Sequence, residues 1–77
     1  MLRLSESETG AECRVERVDL PDDEARWLAS VGISAGDRIT VLRRALFGGP
    51  LHVRTQSGGE FALGNELAAQ VFVEQKP

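Results

Sequence analysis

The chain has 77 residues, too few to bury two hydrophobic cores, and we therefore expect one domain over residues 1–77. Its single cysteine excludes an internal disulfide, and its formal net charge of −3 argues against a general nucleic-acid binder, because such binders gain most of their affinity by neutralising phosphates. An acidic start and the lack of a long apolar run argue against secretion and membrane insertion, and they predict a cytoplasmic protein.

The first predicted strand follows a polar segment, residues 1–10, which we expect to pack along the domain surface. Cys13 and Val15 alternate with polar residues and share one face of this strand. Val18 continues the apolar pattern one residue out of step. A period-2 pattern that slips by one residue predicts a β-bulge near Glu16, or the end of the strand.

Residues 21–31 predict a short helix. Pro21 presets φ for the first turn, and the three acids at 22–24 meet the unpaired N–H groups and the positive end of the helix dipole. Leu28 lies on the apolar stripe, and Gly32 supplies the left-handed residue that ends the helix. About three turns are not stable alone in water, so we expect this helix to cap the sheet.

Two alternating strands form the middle of the chain. The residues predicted to face the core are Ile39, Val41, Leu51, Val53 and Thr55. Those predicted to face outward are Arg38, Thr40, Arg44, His52 and Arg54. Phe61 and Leu63 mark a further strand. Gly64, Asn65 and Glu66 predict a breaker and an N-cap that open one helical turn at residues 67–70, and residues 71–74 form the last strand.

The chain therefore contains about five short strands, one helix after the first strand and a helical turn before the last. Short antiparallel strands this close together close most economically into a small barrel, which removes exposed sheet edges. We predict a mainly β fold of this kind. An OB-like barrel fits the length as well, but the short strands and the meander in the middle favour an SH3-like barrel.

One loop stands out between the two middle strands: Leu46, Phe47, Gly48, Gly49 and Pro50. It has no phosphate-binding glycine motif and no helix follows it, which excludes a phosphate cradle. Glycine and proline suit a structural turn. Two large apolar side chains at its tip either fold back over the mouth of the barrel or form a contact patch for a partner.

Other candidate residues have two interpretations each. Trp27 either seals the helix to the barrel or serves as an exposed aromatic anchor. The arginines in the middle of the chain either lie solvated on one outer face or bind nucleic acid there. They are Arg38, Arg43, Arg44 and Arg54.

Cys13 and His52 are the only soft metal ligands in the sequence. They lie on different predicted strands, whereas a transition-metal site usually needs several convergent ligands. We therefore expect Cys13 to be a small buried hydrophobe and His52 a solvated imidazole, and we assign no metal site. No Ser/His/Asp set, paired buried carboxylates or cofactor motif appears, so we expect neither catalysis nor a cofactor.

Three stretches in register resemble the FeoA family of small cytoplasmic proteins linked to bacterial ferrous iron uptake. ARWLASVGISAGDRITVLRR is similar to the family's helix–turn–strand, ALFGGPLHVR to its loop and strand, and FALGNELAAQVFV to its ending. The resemblance extends from about Thr9 to Glu74. Ala35 and Leu46 stand where proline is common in the family, and Gly64 stands where arginine is usual.

The resemblance implies an SH3-like barrel and an accessory role in which the protein contacts the cytoplasmic part of a FeoB-type membrane transporter. The same barrel occurs as the C-terminal domain of some metal-dependent repressors. The residues that we expect to contact a partner are Trp27, Leu46, Phe47, Gly48, Gly49 and Pro50. The alternatives are nucleic-acid binding through the arginine face, self-association through the same loop, and metal sensing.

Overall fold

The computed structural model describes residues 1–75. Its elements are β1 (Leu2–Arg3), a 3₁₀ helix (Leu4–Glu6), β2 (Glu12–Val18), α1 (Asp22–Ser30), β3 (Arg38–Arg44), β4 (Leu51–Thr55), β5 (Glu60–Leu63), α2 (Asn65–Ala68) and β6 (Val71–Gln75). The six strands pair antiparallel in the order β1-β6-β2-β3-β4-β5. The predicted mainly β class is confirmed, with the two-residue β1 as an additional edge strand.

The sheet curls around one apolar core to which every strand except β1 contributes buried residues. The core consists of Leu4, Cys13, Val15, Leu28, Ile33, Ile39, Val41, Leu51, Val53, Leu63, Ala68, Val71 and Val73. The molecule measures 29 × 27 × 24 Å. Within residues 1–75 the strand order is open, with β1 and β5 at its two edges, whereas the predicted closed barrel would have had no edge.

The bulge predicted near Glu16 is present, because the pairing of β2 with β6 shifts between Val15 and Arg17. A second bulge was not predicted: the pairing of β3 with β4 shifts between Val41 and Arg43. The extra residue places Arg44 opposite the buried Leu51, and residues directly opposite each other share a face of the sheet. The prediction that Arg44 faces outward was therefore wrong.

Arg44 instead holds the N-terminal segment against the barrel. Its Nη1 donates to the carbonyl oxygen of Ser5 at 2.6 Å, and its Nη2 donates to the carbonyl oxygen of Ser7. The Ser7 hydroxyl donates to the carbonyl oxygen of Leu4 at 2.9 Å. Leu4 and Ser7 are buried. The expectation that residues 1–10 simply cover the surface was therefore wrong for this part of the segment.

Helix α1 ends as predicted, at a left-handed glycine. Gly32 has φ +94° and donates its N–H to the carbonyl oxygen of Ala29, while Ile33 donates to that of Leu28. This pair of hydrogen bonds is a Schellman motif, and its apolar partners Leu28 and Ile33 are both fully buried. Helix α2 begins two residues before the predicted turn at residues 67–70: Gly64 occupies the N-cap, and Asn65 is the first helical residue.

Candidate protein-docking site

The β3–β4 connection is a tight turn at residues 46–49. The Gly49 N–H donates to the Leu46 carbonyl oxygen at 3.3 Å, and the Ala45 N–H donates to the Pro50 carbonyl oxygen at 3.0 Å. The two central residues, Phe47 and Gly48, have φ of +58° and +72°. Positive φ at both central positions is typical of a type I′ turn, which suits the right-handed twist of a β-hairpin.

The two glycines of this turn have different roles. Gly48 allows the left-handed backbone conformation that its position requires. At Gly49 an added Cβ would lie 2.7 Å from the Cβ of Ala45. Here glycine permits a close approach of two chain segments. The glycine pair therefore builds a turn, as the sequence predicted.

The side chains of Leu46 and Phe47 extend into solvent, at 80% and 103% exposure. The alternative in which both fold back over the mouth of the barrel is therefore wrong. Phe47 is also the one non-glycine residue with positive φ among residues 1–75. A bulky side chain in this conformation is uncommon, and a strained backbone of this kind occurs most often at functional sites.

Two open clefts flank the turn. One, of about 450 Å³, separates it from the start of α2 and is lined by residues 48–50 and 64–67. The other, of about 230 Å³, is lined partly by Arg43 and His52. Pro50 lines both clefts. Neither cleft was predicted, because each depends on packing between segments that are distant in sequence.

Trp27 packs against the barrel and is also exposed, so its predicted sealing contact is present while its role as a partner anchor stays a prediction. Its ring packs edge-on against Phe61 of β5, with a centroid distance of 6.5 Å and an interplanar angle of 76°. Trp27 nevertheless remains 52% exposed. It therefore seals the helix against the barrel with one edge and offers the rest of its surface to solvent.

The arginines do not form a uniform basic face. Arg38, Arg43 and Arg54 are exposed on the outer side of the sheet, whereas Arg44 faces the core. Acidic residues lie among them in the register: Glu12 is opposite Thr40, and Glu60 is opposite Arg54.

This mixture of signs does not favour nucleic-acid binding, which requires a continuous positive surface.

Comparison with known families identifies this arrangement. The FeoA domain family matches residues 2–75 of the chain. The chain belongs to the FeoA family. A sequence search among curated proteins finds no significant match.

Solved FeoA structures share the fold. An iron uptake regulatory protein FeoA is 29% identical, with 97% of this chain and 96% of that chain covered and a TM-score of 0.84. FeoA of Stenotrophomonas maltophilia in complex with zinc is 29% identical, with 96% and 91% covered and a TM-score of 0.78; it is described as a prokaryotic SH3-domain protein and a candidate activating factor of ferrous iron transport. The SH3-like prediction is confirmed.

The fold also forms part of a larger protein. A manganese-dependent transcriptional repressor in complex with manganese is 32% identical, with a TM-score of 0.83. The alignment covers 96% of this chain but only 36% of the repressor. The FeoA fold therefore corresponds to about a third of that protein.

The metals bound by these relatives prompt a test of the ligands in this FeoA-family chain. Cys13 is fully buried, and burial raises the pKa of its thiol, which disfavours the thiolate that binds metals. His52 Nε2 lies 3.2 Å from Oε1 of Glu60, so two atoms that can coordinate a metal lie close together. Within residues 1–75 no three His, Cys, Asp or Glu side chains are grouped to hold an ion. The described residues therefore do not fit a protein-built metal centre.

No helix in the described part of the chain, residues 1–75, has the length and apolar character needed to span a bilayer.

Proposed function

We propose that this FeoA-family protein is a small cytoplasmic accessory protein of ferrous iron transport, which docks on the cytoplasmic part of a FeoB-type membrane transporter. The observation that carries the proposal is the β3–β4 tip, where Phe47 is fully exposed on a left-handed backbone. The folded monomer gains no apolar burial from this side chain. A partner that covers it does.

The size of the expected gain is that of an interface anchor. A phenylalanine buries about 150–250 Å² when it is covered, and truncating an anchor at a well-packed interface costs about 2–4 kcal/mol. That corresponds to a loss of about 30-fold to 1,000-fold in affinity. Leu46 lies beside Phe47 and enlarges the same apolar tip. Trp27 provides a further exposed aromatic anchor on α1.

The proposed partner must present a concave apolar surface, because a projecting tip buries most area in a groove. The two clefts beside the turn can receive the edges of the partner's groove when the tip is inserted into it. Self-association through the tip remains an outcome of the test: sedimentation velocity over a concentration series distinguishes a monomer that binds the transporter from a dimer that does not.

The proposal is tested with the isolated cytoplasmic part of a FeoB-type transporter. The double variant Leu46→Asp/Phe47→Asp is expected to lose binding in a pull-down and in calorimetry. The matched control is Ala35→Asp/Ser57→Asp, which adds two acids at other exposed turn positions. Binding by the double tip variant at the strength of the control would remove the loop from the interface.

A further inference from the structure

The sheet has one open edge beside an exposed aromatic residue. Strand β5 is last in the hydrogen-bonded order and pairs only with β4 within residues 1–75. The Thr55 N–H donates to the Gly59 carbonyl oxygen at 2.9 Å. Because hydrogen-bonded pairs alternate along an antiparallel ladder, Phe61 and Leu63 are bonded to β4, and the backbone groups of Glu60 and Ala62 point away from it.

This edge has little of the usual protection. Exposed edge strands in natural proteins are generally very short or carry charged residues, especially lysine, proline, a bulge or a covering segment. β5 has four residues, and its one charged side chain, Glu60, lies 3.2 Å from Nε2 of His52. The sequence of β5 is Glu-Phe-Ala-Leu, with no lysine or proline, and its register with β4 is regular. The opposite edge strand, β1, has only two residues. The N–H and C=O groups of β5 therefore offer a template for another strand.

Helix α1 supplies side chains beside this template. Phe61 shares the core-facing side of the sheet with Val53, and Trp27 packs edge-on against its ring. Asp23 and Glu24 precede Trp27 by four and three residues, so they lie one turn away on the same helix face, and both are exposed. One helical turn rises about 5.4 Å, close to the spacing of about 6.8 Å between alternate residues of a strand.

We propose that β5 binds an extended segment of a partner protein as an added antiparallel or parallel strand. An apolar side chain of that segment packs against Trp27 and Phe61, and a lysine or arginine two residues away pairs with Asp23 or Glu24. Backbone hydrogen bonds to Glu60 and Ala62 supply the pairing. The side chains two residues apart supply the selectivity, as in other proteins that bind peptides by strand addition.

Charge selects this occupant over a second copy of the chain. Pairing of β5 with β5 about a two-fold axis would bring two α1 helices, each with three acids in its first turn, to the same side of the joined sheet. Like charges there oppose the dimer, whereas a basic segment is attracted. The inference goes beyond docking through the β3–β4 tip and shares only Trp27 with it.

The test uses the full chain and the synthetic peptide acetyl-Thr-Arg-Thr-Leu-Thr-Arg-Thr-amide, which places a basic residue two positions from leucine in either direction. In a ¹⁵N NMR titration we expect shift changes confined to β5 and α1, including the Trp27 indole. Amide hydrogen exchange at Glu60 and Ala62 is expected to slow by about tenfold at saturation, because new backbone hydrogen bonds protect these groups. Shift changes elsewhere, or none, would overturn the proposal.

Two control peptides separate strand addition from unspecific attraction. Replacement of both arginines by glutamate is expected to weaken binding by about tenfold, through repulsion by α1. Replacement of the two threonines beside leucine by proline is expected to abolish it, since proline removes donors that an added strand needs. Equal binding of all three peptides would overturn the proposal.

Variants of the protein complete the experiment. Ala62→Pro removes an N–H that points away from β4, so it is expected to block the peptide while the β4–β5 ladder remains. Asp23→Lys/Glu24→Lys changes only exposed side chains and is expected to weaken binding of the arginine peptide and to strengthen binding of the glutamate peptide.

Phe47→Asp is expected to leave the peptide's affinity unchanged. If it instead abolishes binding, the edge is not the site. Loss of transporter binding by the tip variants, measured separately, tests the proposed function and not this one.

Discussion

Phe47 shows how one residue can be placed for something other than stability. A bulky residue at φ +58° occupies a region that asparagine or glycine occupies more easily, and the cost is about 1–2 kcal/mol. The exposed ring returns no packing to the fold. The residue therefore lowers the stability of the free protein while it presents an apolar side chain to solvent.

Phe47→Asn is accordingly expected to stabilise the protein. Asparagine tolerates the left-handed conformation, and the free energy of unfolding in urea should rise by about 1 kcal/mol. The control is Leu46→Asn, which changes the neighbouring exposed residue without positive φ and should stay within about 0.5 kcal/mol of the parent. A fall in stability for Phe47→Asn would mean that the ring packs against the protein after all.

A substitution at Gly49 is expected to lower the free energy of unfolding, whereas Phe47→Asn is expected to raise it. An alanine Cβ at this position would lie 2.7 Å from the Cβ of Ala45, so Gly49→Ala is expected to destabilise the protein by about 1–3 kcal/mol in urea unfolding. The double variant Ala45→Gly/Gly49→Ala removes the clash and should recover most of the loss. Additive effects of the two substitutions in this double-mutant cycle would show that the close approach is not the cause.

At the scale of the elements, the bulge in β3 decides which side of the barrel its last residue faces. Without it, Arg44 would lie on the outer side with Thr40. With it, Arg44 reaches the carbonyl oxygens of Ser5 and Ser7 and fixes the segment that buries Leu4. One extra residue in a strand thus attaches the N-terminal segment to the core.

Arg44→Met tests this attachment. Methionine retains much of the apolar stem but removes both hydrogen-bond donors. A hydrogen bond from a charged group is worth about 1.5–3 kcal/mol, and the free energy of unfolding is expected to fall by about 2–3 kcal/mol. Arg43→Met, an exposed neighbour, should change it by less than about 0.5 kcal/mol. Equal effects of the two variants would contradict the attachment.

The same elements show what the sequence could predict. Alternation placed β2 to β6, the step between Val15 and Val18 revealed the first bulge, and Gly32 marked the end of α1, because each signal is local. In β3 the apolar alternation ends at Val41–Leu42 and two arginines follow, so no later apolar residue of the strand shows that its two faces have exchanged. Burial of Leu4 depends on contacts with residues about 40 positions away, which a local pattern does not contain.

The sequence likewise predicts one part of the candidate site and not the rest. Composition was enough to single out the β3–β4 loop, because two large apolar residues beside two glycines are unusual at a turn. The direction of Leu46 and Phe47 depends on the sign of φ at Phe47, which residue preferences would not assign to phenylalanine. The clefts and the open edge of β5 exist only once the strand order is known.

At the scale of the whole molecule, the barrel separates its stable centre from its two proposed contact surfaces. The centre of the sheet is β2, which lies between β6 and β3 and carries Cys13 and Val15 into the core. The β5 edge is three strands away from β2 in this order, whereas the β3–β4 tip connects the direct neighbour of β2 to the next strand. Opening of the turn or of β5 alone leaves β2 paired with β6 and β3, and we therefore expect global unfolding to expose it.

Cys13 can report that global event. Its thiol is fully buried, so labelling by a thiol reagent at pH 8 is expected to be slow in the native protein and fast in urea. In native buffer, labelling should be slowest for Phe47→Asn, faster for the parent and fastest for Arg44→Met, because the rate rises as the stability falls. Labelling that ignores this order would mean that Cys13 becomes accessible through a local opening of β2.

The same thiol gives stability a pH dependence with a definite sign. Burial is the main cause that raises its pKa above the ordinary value of 9.0, and the nearby Glu12 adds to the increase. The unfolded chain therefore loses the thiol proton at a lower pH than the folded chain does. The contribution is complete below about pH 9 and is lost as the pH rises through the folded pKa. Urea unfolding of the parent at pH 8 and pH 10, compared with Cys13→Ala, should show a larger decline for the parent; equal declines would assign the alkaline loss to other groups.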